Sequence, residues 1–168
     1  IRDRKDTWAQ VYKRTVKFAS ALNKIGVSKG DTVSFLAFNT PEIFEGHYSV
    51  PMTGAVLNTI NIRLDAKTIA YILEHSEAKV LVVDRQLHVE VKNALNTLKR
   101  KIIIIDINDK FADQSKCEKI GELEYESFLN TGDENYNWEM PEDEWQALSL
   151  SYTSGTTGNP KGVVYHHR

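Results

Sequence analysis

Cysteine is nearly absent: Cys117 is the only one in 168 residues. A lone thiol makes no internal disulfide, which excludes the disulfide-stapled secreted class and fits a reducing cytosol. It is no metal site by itself, and no activating neighbours accompany it, so it reads as a spectator thiol in a polar loop. Long apolar runs are also missing. A membrane-spanning helix needs about 18 consecutive apolar residues, and the densest run here, Ile102 to Ile105, has the length of a buried strand. Neither sign of charge is in excess. Lys and Arg number 21 against 23 Asp and Glu, a formal net charge of −2. Nucleic acid and anionic membranes both select a basic surplus, so neither is expected as a partner. The opening Ile1-Arg2-Asp3-Arg4-Lys5 is charged and no apolar stretch follows it, so no leader is expected. The first residue is not Met, which suggests a piece of a longer chain, with processing as the alternative explanation. Taken together these features predict a cytoplasmic location.

What is present suits a folded α/β domain. Hydrophobic residues make up 41% and charged residues 26%, the balance of a globular protein with a sizeable core. Trp8, Val11, Tyr12, Thr15, Val16, Ala19 and Leu22 recur at helical spacing and predict an amphipathic helix over 6–25, stopped at Gly26. Residues 28–31 form a turn, and a strand follows over 32–38. Thr40 is placed to cap a second helix, with Pro41 at its first position and Glu42 in its first turn. Residues 56–61 read as extended. Asp65 caps a third helix to about His75, with Ile69, Ile72 and Leu73 inward. A strand over 79–84, a helix over 87–99 and a strand over 101–105 come next. Such alternation predicts an α/β sandwich on a mainly parallel sheet. Leu81 to Val83 and Ile102 to Ile105 lack in–out alternation, as strands covered on both faces should. Residues 108–144 turn acidic and polar, with a short helix near 125–129, and are expected as a surface excursion within the domain. No internal repeat or low-complexity tract is apparent.

The chemistry is concentrated in residues 152–163, Tyr-Thr-Ser-Gly-Thr-Thr-Gly-Asn-Pro-Lys-Gly-Val. Apolar segments lead in over 147–150 and out over 163–165, which predicts strand, loop, strand. Gly155 and Gly158 let the backbone take positive φ and approach an anion closely. Successive N–H groups in such a turn make an anion-binding concavity. Thr153, Ser154, Thr156 and Thr157 add hydroxyl donors, and Lys161 adds a flexible positive charge suited to a phosphate oxygen. This is not a Walker A loop, because Pro160 precedes Lys161 and Gly162 follows it. Val163-Val164-Tyr165 favours a strand, so phosphate would be held by the loop and not by a helix end. The residues alone leave a ligand-free hairpin open and name no reaction.

The loop resembles the signature phosphate loop of the adenylate-forming enzymes, the family of acyl-CoA synthetases, aryl-CoA ligases, peptide-synthetase adenylation domains and luciferases. All of 152–163 agrees with that pattern. Thr7-Trp8, residues 26–31, Asn39-Thr40-Pro41-Glu42, residues 54–58 and Asn61-Ile62-Arg63-Leu64 also look like the family's N-terminal region, most closely its acyl-activating branch for fatty or related acids. Asp6 departs from it, standing where an aromatic residue is common. The resemblance implies the N-terminal portion of the family's large domain, here residues 1–168 and cut just after the loop. It implies an acid–CoA ligase that uses ATP, Mg2+ and CoA: a carboxylate attacks the α-phosphate of ATP to give acyl-AMP and pyrophosphate, and the CoA thiol displaces AMP. Thr153, Ser154, Gly155, Thr156, Thr157, Gly158 and Lys161 would bind the ATP phosphates. The family's catalytic Lys, its magnesium-holding Glu and its adenine and ribose contacts lie downstream, so no catalytic residue and no metal ligand is assigned here. Two alternatives stand beside this: an adenylation domain that loads a carrier protein, and an inactive truncated remnant.

The remaining candidates have plainer readings. His166 and His167 are adjacent, point to opposite faces of a strand, and so do not chelate one ion together. The resemblance places a His near them, and one of the two could face the acid side. His47, His75 and His88 are ordinary helix residues, and Arg63 a structural cap or ion pair. Glu118, Glu122, Glu124 and Glu126 form a solvated face.

Overall fold

In the computed structural model the described residues are 5–153 and 158–168. The first helix, α1 (Trp8–Lys24), starts two residues later than its periodicity suggests because Thr7 makes a reciprocal capping box with Gln10. The turn that follows is closed by Asp31, which accepts from the Ser28 N–H at 2.8 Å and from Lys79 at 2.8 Å. β1 (Thr32–Leu36) is buried along its whole length. α2 (Pro41–Ser49) begins at Pro41, and Thr40 occupies the cap position. The expected side-chain cap is not made there: the Thr40 hydroxyl is buried without a hydrogen-bond partner. β2 (Val56–Thr59) leads to α3 (Ala66–His75), where Asp65 caps as expected, accepting from Thr68 N–H at 2.7 Å. β3 (Ala78–Asp84) and α4 (His88–Leu95) follow. α4 is shorter than the 87–99 anticipated, since Arg85–Leu87 form a 3-10 turn before it and Thr97 turns back on Ala94 after it. β4 (Ile103–Ile107) lies two residues further on than its apolar run implies. Pairing decides this: Val80 stands opposite Ile103 and Asp84 opposite Ile107, so the ladder keeps Asp106 and Ile107 and leaves Lys101 exposed.

Within 108–144 the chain returns to the sheet as β5 (Leu123–Glu124), then forms α5 (Tyr125–Leu129), which buries Tyr125, Phe128 and Leu129. The acidic run here is not simply a solvated face. Glu124 caps α5 through Ser127 N–H, Glu118 pairs with Lys92, and Glu126 pairs with Arg14. β6 (Ala147–Thr153) and β7 (Lys161–His166) complete the sheet among the described residues.

The strand order is β5-β4-β3-β1-β2-β6-β7. Every pairing is parallel except β6 with β7, which is antiparallel. The central strands of the sheet are covered on both faces, which is why they read as unbroken apolar runs. In β3 the two faces separate residue by residue. Val80 and Val82 join Phe18, Leu22, Phe35 and Tyr125 under α1 and α5. Leu81 and Val83 join Ile69, Ile72, Leu73 and Val91 under α3 and α4. On the first face α2 comes very close to β1: a Cβ on Gly46 would stand 2.6 Å from the Phe35 ring, so a side chain there would displace that buried ring. α1, α2 and α5 are locked by one ionic cluster. Arg14 donates to Glu45 at 2.6 Å and to Glu126 at 2.6 Å, and the buried Tyr125 hydroxyl donates to Glu45 at 2.9 Å. Burial opposes the Arg14 charge, but the bonds to Glu126 and Glu45 outweigh it and hold its pKa above the ordinary range.

Candidate phosphate-binding hairpin

The expected loop lies on the β6–β7 hairpin. β6 runs parallel to β2, so its carboxyl end, where the loop begins, is the same sheet edge at which β1, β2 and β3 end. In open α/β sheets that edge is where ligands bind. Thr153 ends β6 and Lys161 starts β7, and the two are paired across the hairpin. Both are exposed. Thr153 and Lys161 are thus held side by side by the ladder. Gly158 has φ 139°, a backbone state that L side chains rarely adopt. Ser154, Gly155, Thr156 and Thr157 lie outside the described residues. Of the seven loop positions singled out in the sequence, the structure therefore places three, Thr153, Gly158 and Lys161, at one end of one hairpin.

Support for the hairpin comes from a residue that the sequence did not distinguish. Tyr152, directly before Thr153, has its hydroxyl 2.7 Å from Nδ1 of His75 on α3. Burial, and then Tyr71, push the Tyr152 pKa up to about 12, so the phenol keeps its proton, and which of the two groups donates depends on the His75 tautomer. Tyr71 stacks on His75 at 5.3 Å, and the His75 ring meets Tyr152 edge-on at 5.8 Å. The available signal was the i, i+4 aromatic pair Tyr71 and His75 on the last turns of α3. His47 and His88 do behave as helix residues, each close to the carbonyl of the preceding turn, Ile43 and Arg85.

At the far end of β7, His166 packs edge-on against Trp145 at 5.4 Å, and Arg168 lies over the same indole at 5.4 Å. His167 lines a cavity of about 280 Å³ with Lys29, Thr53 and Tyr136. The two histidines therefore have different surroundings. Among the described residues no group of three or more His, Cys, Asp or Glu could hold a metal ion, and no helix is long and apolar enough to cross a membrane. The Cys117 thiol donates to the Asp113 carbonyl at 3.3 Å, and its pKa is raised by partial burial and by Asp84, Asp113 and Asp109. That environment disfavours thiolate.

A mainly parallel sheet with helices on both faces, ending in the β6–β7 hairpin at its carboxyl edge, defines an open α/β class of domain. Within that class the chain belongs to the AMP-binding enzyme family, whose model matches residues 2–168. It is 45% identical over 172 residues to an acetate–CoA ligase of Humulus lupulus, covering 96% of this chain and 30% of that protein. It is 44% identical over 175 residues to a peroxisomal acetate/butyrate–CoA ligase of Arabidopsis thaliana, covering 98% and 31%. Among solved structures, the anthranilate CoA ligase AuaEII in complex with anthranoyl-AMP superposes with a TM-score of 0.87 at 25% identity, over 99% of this chain and 30% of that one. The chain thus spans about three tenths of the length of these relatives.

Proposed function

We propose that this chain is the N-terminal part of an AMP-forming acid–CoA ligase, and that Thr153 to Lys161 hold the β- and γ-phosphates of ATP in its first half-reaction. The observation that carries this is the paired, exposed Thr153 and Lys161 at the carboxyl edge of the sheet. The complete enzyme activates a carboxylic acid with ATP to acyl-AMP and pyrophosphate, and then transfers the acyl group to CoA. The hairpin acts electrostatically. Its hydroxyls, backbone N–H groups and Lys161 stabilise charge that grows on the leaving pyrophosphate. Ser154, Gly155, Thr156, Thr157 and Gly158 belong to this set by their place in the loop. Magnesium would arrive bound to the ATP phosphates. Residues 1–168 form part of a larger AMP-binding domain, with 108–144 as an excursion of its surface. The adenine, ribose and acid contacts belong to sequence beyond it.

For the acid, the names of the relatives favour short aliphatic substrates over long-chain ones: acetate, butyrate and 2-methylpropanoate occur, beside cinnamate and benzoate. We place the enzyme in the cytoplasm, although several relatives are named as peroxisomal. The test is pyrophosphate exchange into ATP by the complete enzyme over acids from C2 to C16, with thioester identified by mass spectrometry. Exchange is expected for short acids, with acyl-CoA as product. Exchange without any thioester when CoA is supplied would overturn the ligase reading.

A further inference from the structure

We propose that His75 and Tyr152 are positioning residues for the phosphate hairpin, an inference that rests on the assignment of residues 153–161 to the ATP phosphates. β6 pairs with β2 only through Ser149, Leu150 and Ser151. Past Ser151 its backbone partner is β7 alone, with Tyr152 opposite Gly162 and Thr153 opposite Lys161. β7 is exposed at every residue. The end of the hairpin that bears the loop therefore projects beyond the sheet, with little packing to fix its direction.

The side-chain hydrogen bond between Tyr152 and His75 bridges that gap. Tyr152 is the last residue before the loop, and it reaches α3, a helix rooted in the core by the fully buried Ile69, Ile72 and Leu73. Gly162 makes room for the arrangement. A Cβ there would stand 2.9 Å from Leu150 Cδ1 and 3.6 Å from the Tyr152 ring. Tyr71, one helical turn before His75, stacks on the imidazole and holds its plane. The core of the domain thus grips the strand at the point where the loop leaves it. A small rotation of Tyr152 would swing both Thr153 and Lys161, because the ladder couples them. Catalysis by a fixed charge depends on such placement.

The experiment uses the complete enzyme. Adenylation is followed as acid-dependent pyrophosphate release, and thioester formation from synthetic acyl-AMP and CoA, for Tyr152→Phe, His75→Leu, their double variant, His75→Asn and a Lys161→Ala control. Tyr152→Phe and His75→Leu are each expected to lower kcat for adenylation about five-fold, the equivalent of one neutral hydrogen bond. KM for the acid and the rate of thioester formation should stay unchanged. The double variant should be no worse than either single one, since both break the same bond. His75→Asn places an amide, able to accept or donate, near the position of Nδ1 and should recover most of the loss. Multiplying losses in the double variant, equal losses in both half-reactions, or no loss while Lys161→Ala cripples adenylation would each overturn the positioning role. Intact adenylation in Lys161→Ala would instead remove the loop assignment, and this inference with it.

Discussion

At the scale of single residues, charge placement decides most outcomes. Lys161 is exposed at the start of β7 and no carboxylate among the described residues pairs with it, so its ammonium is available to an anion. Lys161→Ala in the complete enzyme should reduce adenylation on the order of 100-fold, the value of one charge-assisted contact. Thioester formation from acyl-AMP should change only a few-fold, because no pyrophosphate is present in that step. Equal losses would point to folding or closure. A second residue-scale case is Asp84, fully buried at the end of β3. Burial raises its pKa, the Gln86 bonds lower it less, and Asp109 and Glu42 raise it further. A carboxyl whose folded pKa lies above its unfolded one binds its proton more tightly when folded. It favours the fold below 3.8, the ordinary aspartate value, and that support is lost as pH rises through the folded value. Asp84→Asn keeps a carbonyl for the Gln86 N–H and has no charge to bury. Melting curves of the complete protein should show the variant gaining on the parent as pH rises above 3.8. A difference that is flat with pH would refute the effect.

At the scale of elements, the polar segment 108–144 is held by contacts its composition does not announce. Gly132, just after α5, lies directly on the backbone of α1: a Cβ there would stand 1.9 Å from the Lys17 carbonyl oxygen. Backbone cannot yield as a flexible side chain can. Nearby, Lys24 donates to the Thr131 carbonyl at 2.6 Å and Asp133 N–H donates to Ser20 Oγ at 3.0 Å. Gly132→Ala should cost about 3 kcal/mol in urea unfolding of the complete protein, at the top of the overpacking range. It should also loosen the segment before the sheet, which hydrogen exchange at residues 123–133 would detect as early loss of protection. An unchanged midpoint would show that α1 and α5 can separate without penalty.

For the whole molecule, the informative feature is an asymmetric sheet. Its β5 side is finished by α5, while at the other side β7 leaves Val163 39%, Val164 49% and Tyr165 55% exposed. A flat apolar edge strand is a template for further pairing. The isolated 168-residue chain should therefore self-associate and melt without a sharp transition. Sedimentation velocity together with calorimetry checks this, and a monomer with one cooperative transition would contradict it.

By itself the sequence determined the α/β class, the parallel sheet and the candidate loop. Helix and strand periods are local, as with Ile69, Ile72 and Leu73 on one face of α3, and a buried parallel strand announces itself as an apolar run such as Leu81-Val82-Val83. Caps are local as well, which is why Asp65 was legible. The candidate loop stood out as a motif because Gly and hydroxyl side chains follow one another there, and the family resemblance proposed its ligand. Tertiary structure alone decided where β4 begins, because register is a property of two strands, and Asp106 with Ile107 entered the ladder through β3. It decided that Glu126 pairs with Arg14, 112 positions away, and that Thr40 occupies a cap position without making the cap bond. It also decided that His75 stands against Tyr152, 77 positions away. Contacts of that span arise when α3 and β6 are laid against one another by the sheet order, and no local period of the chain encodes that order.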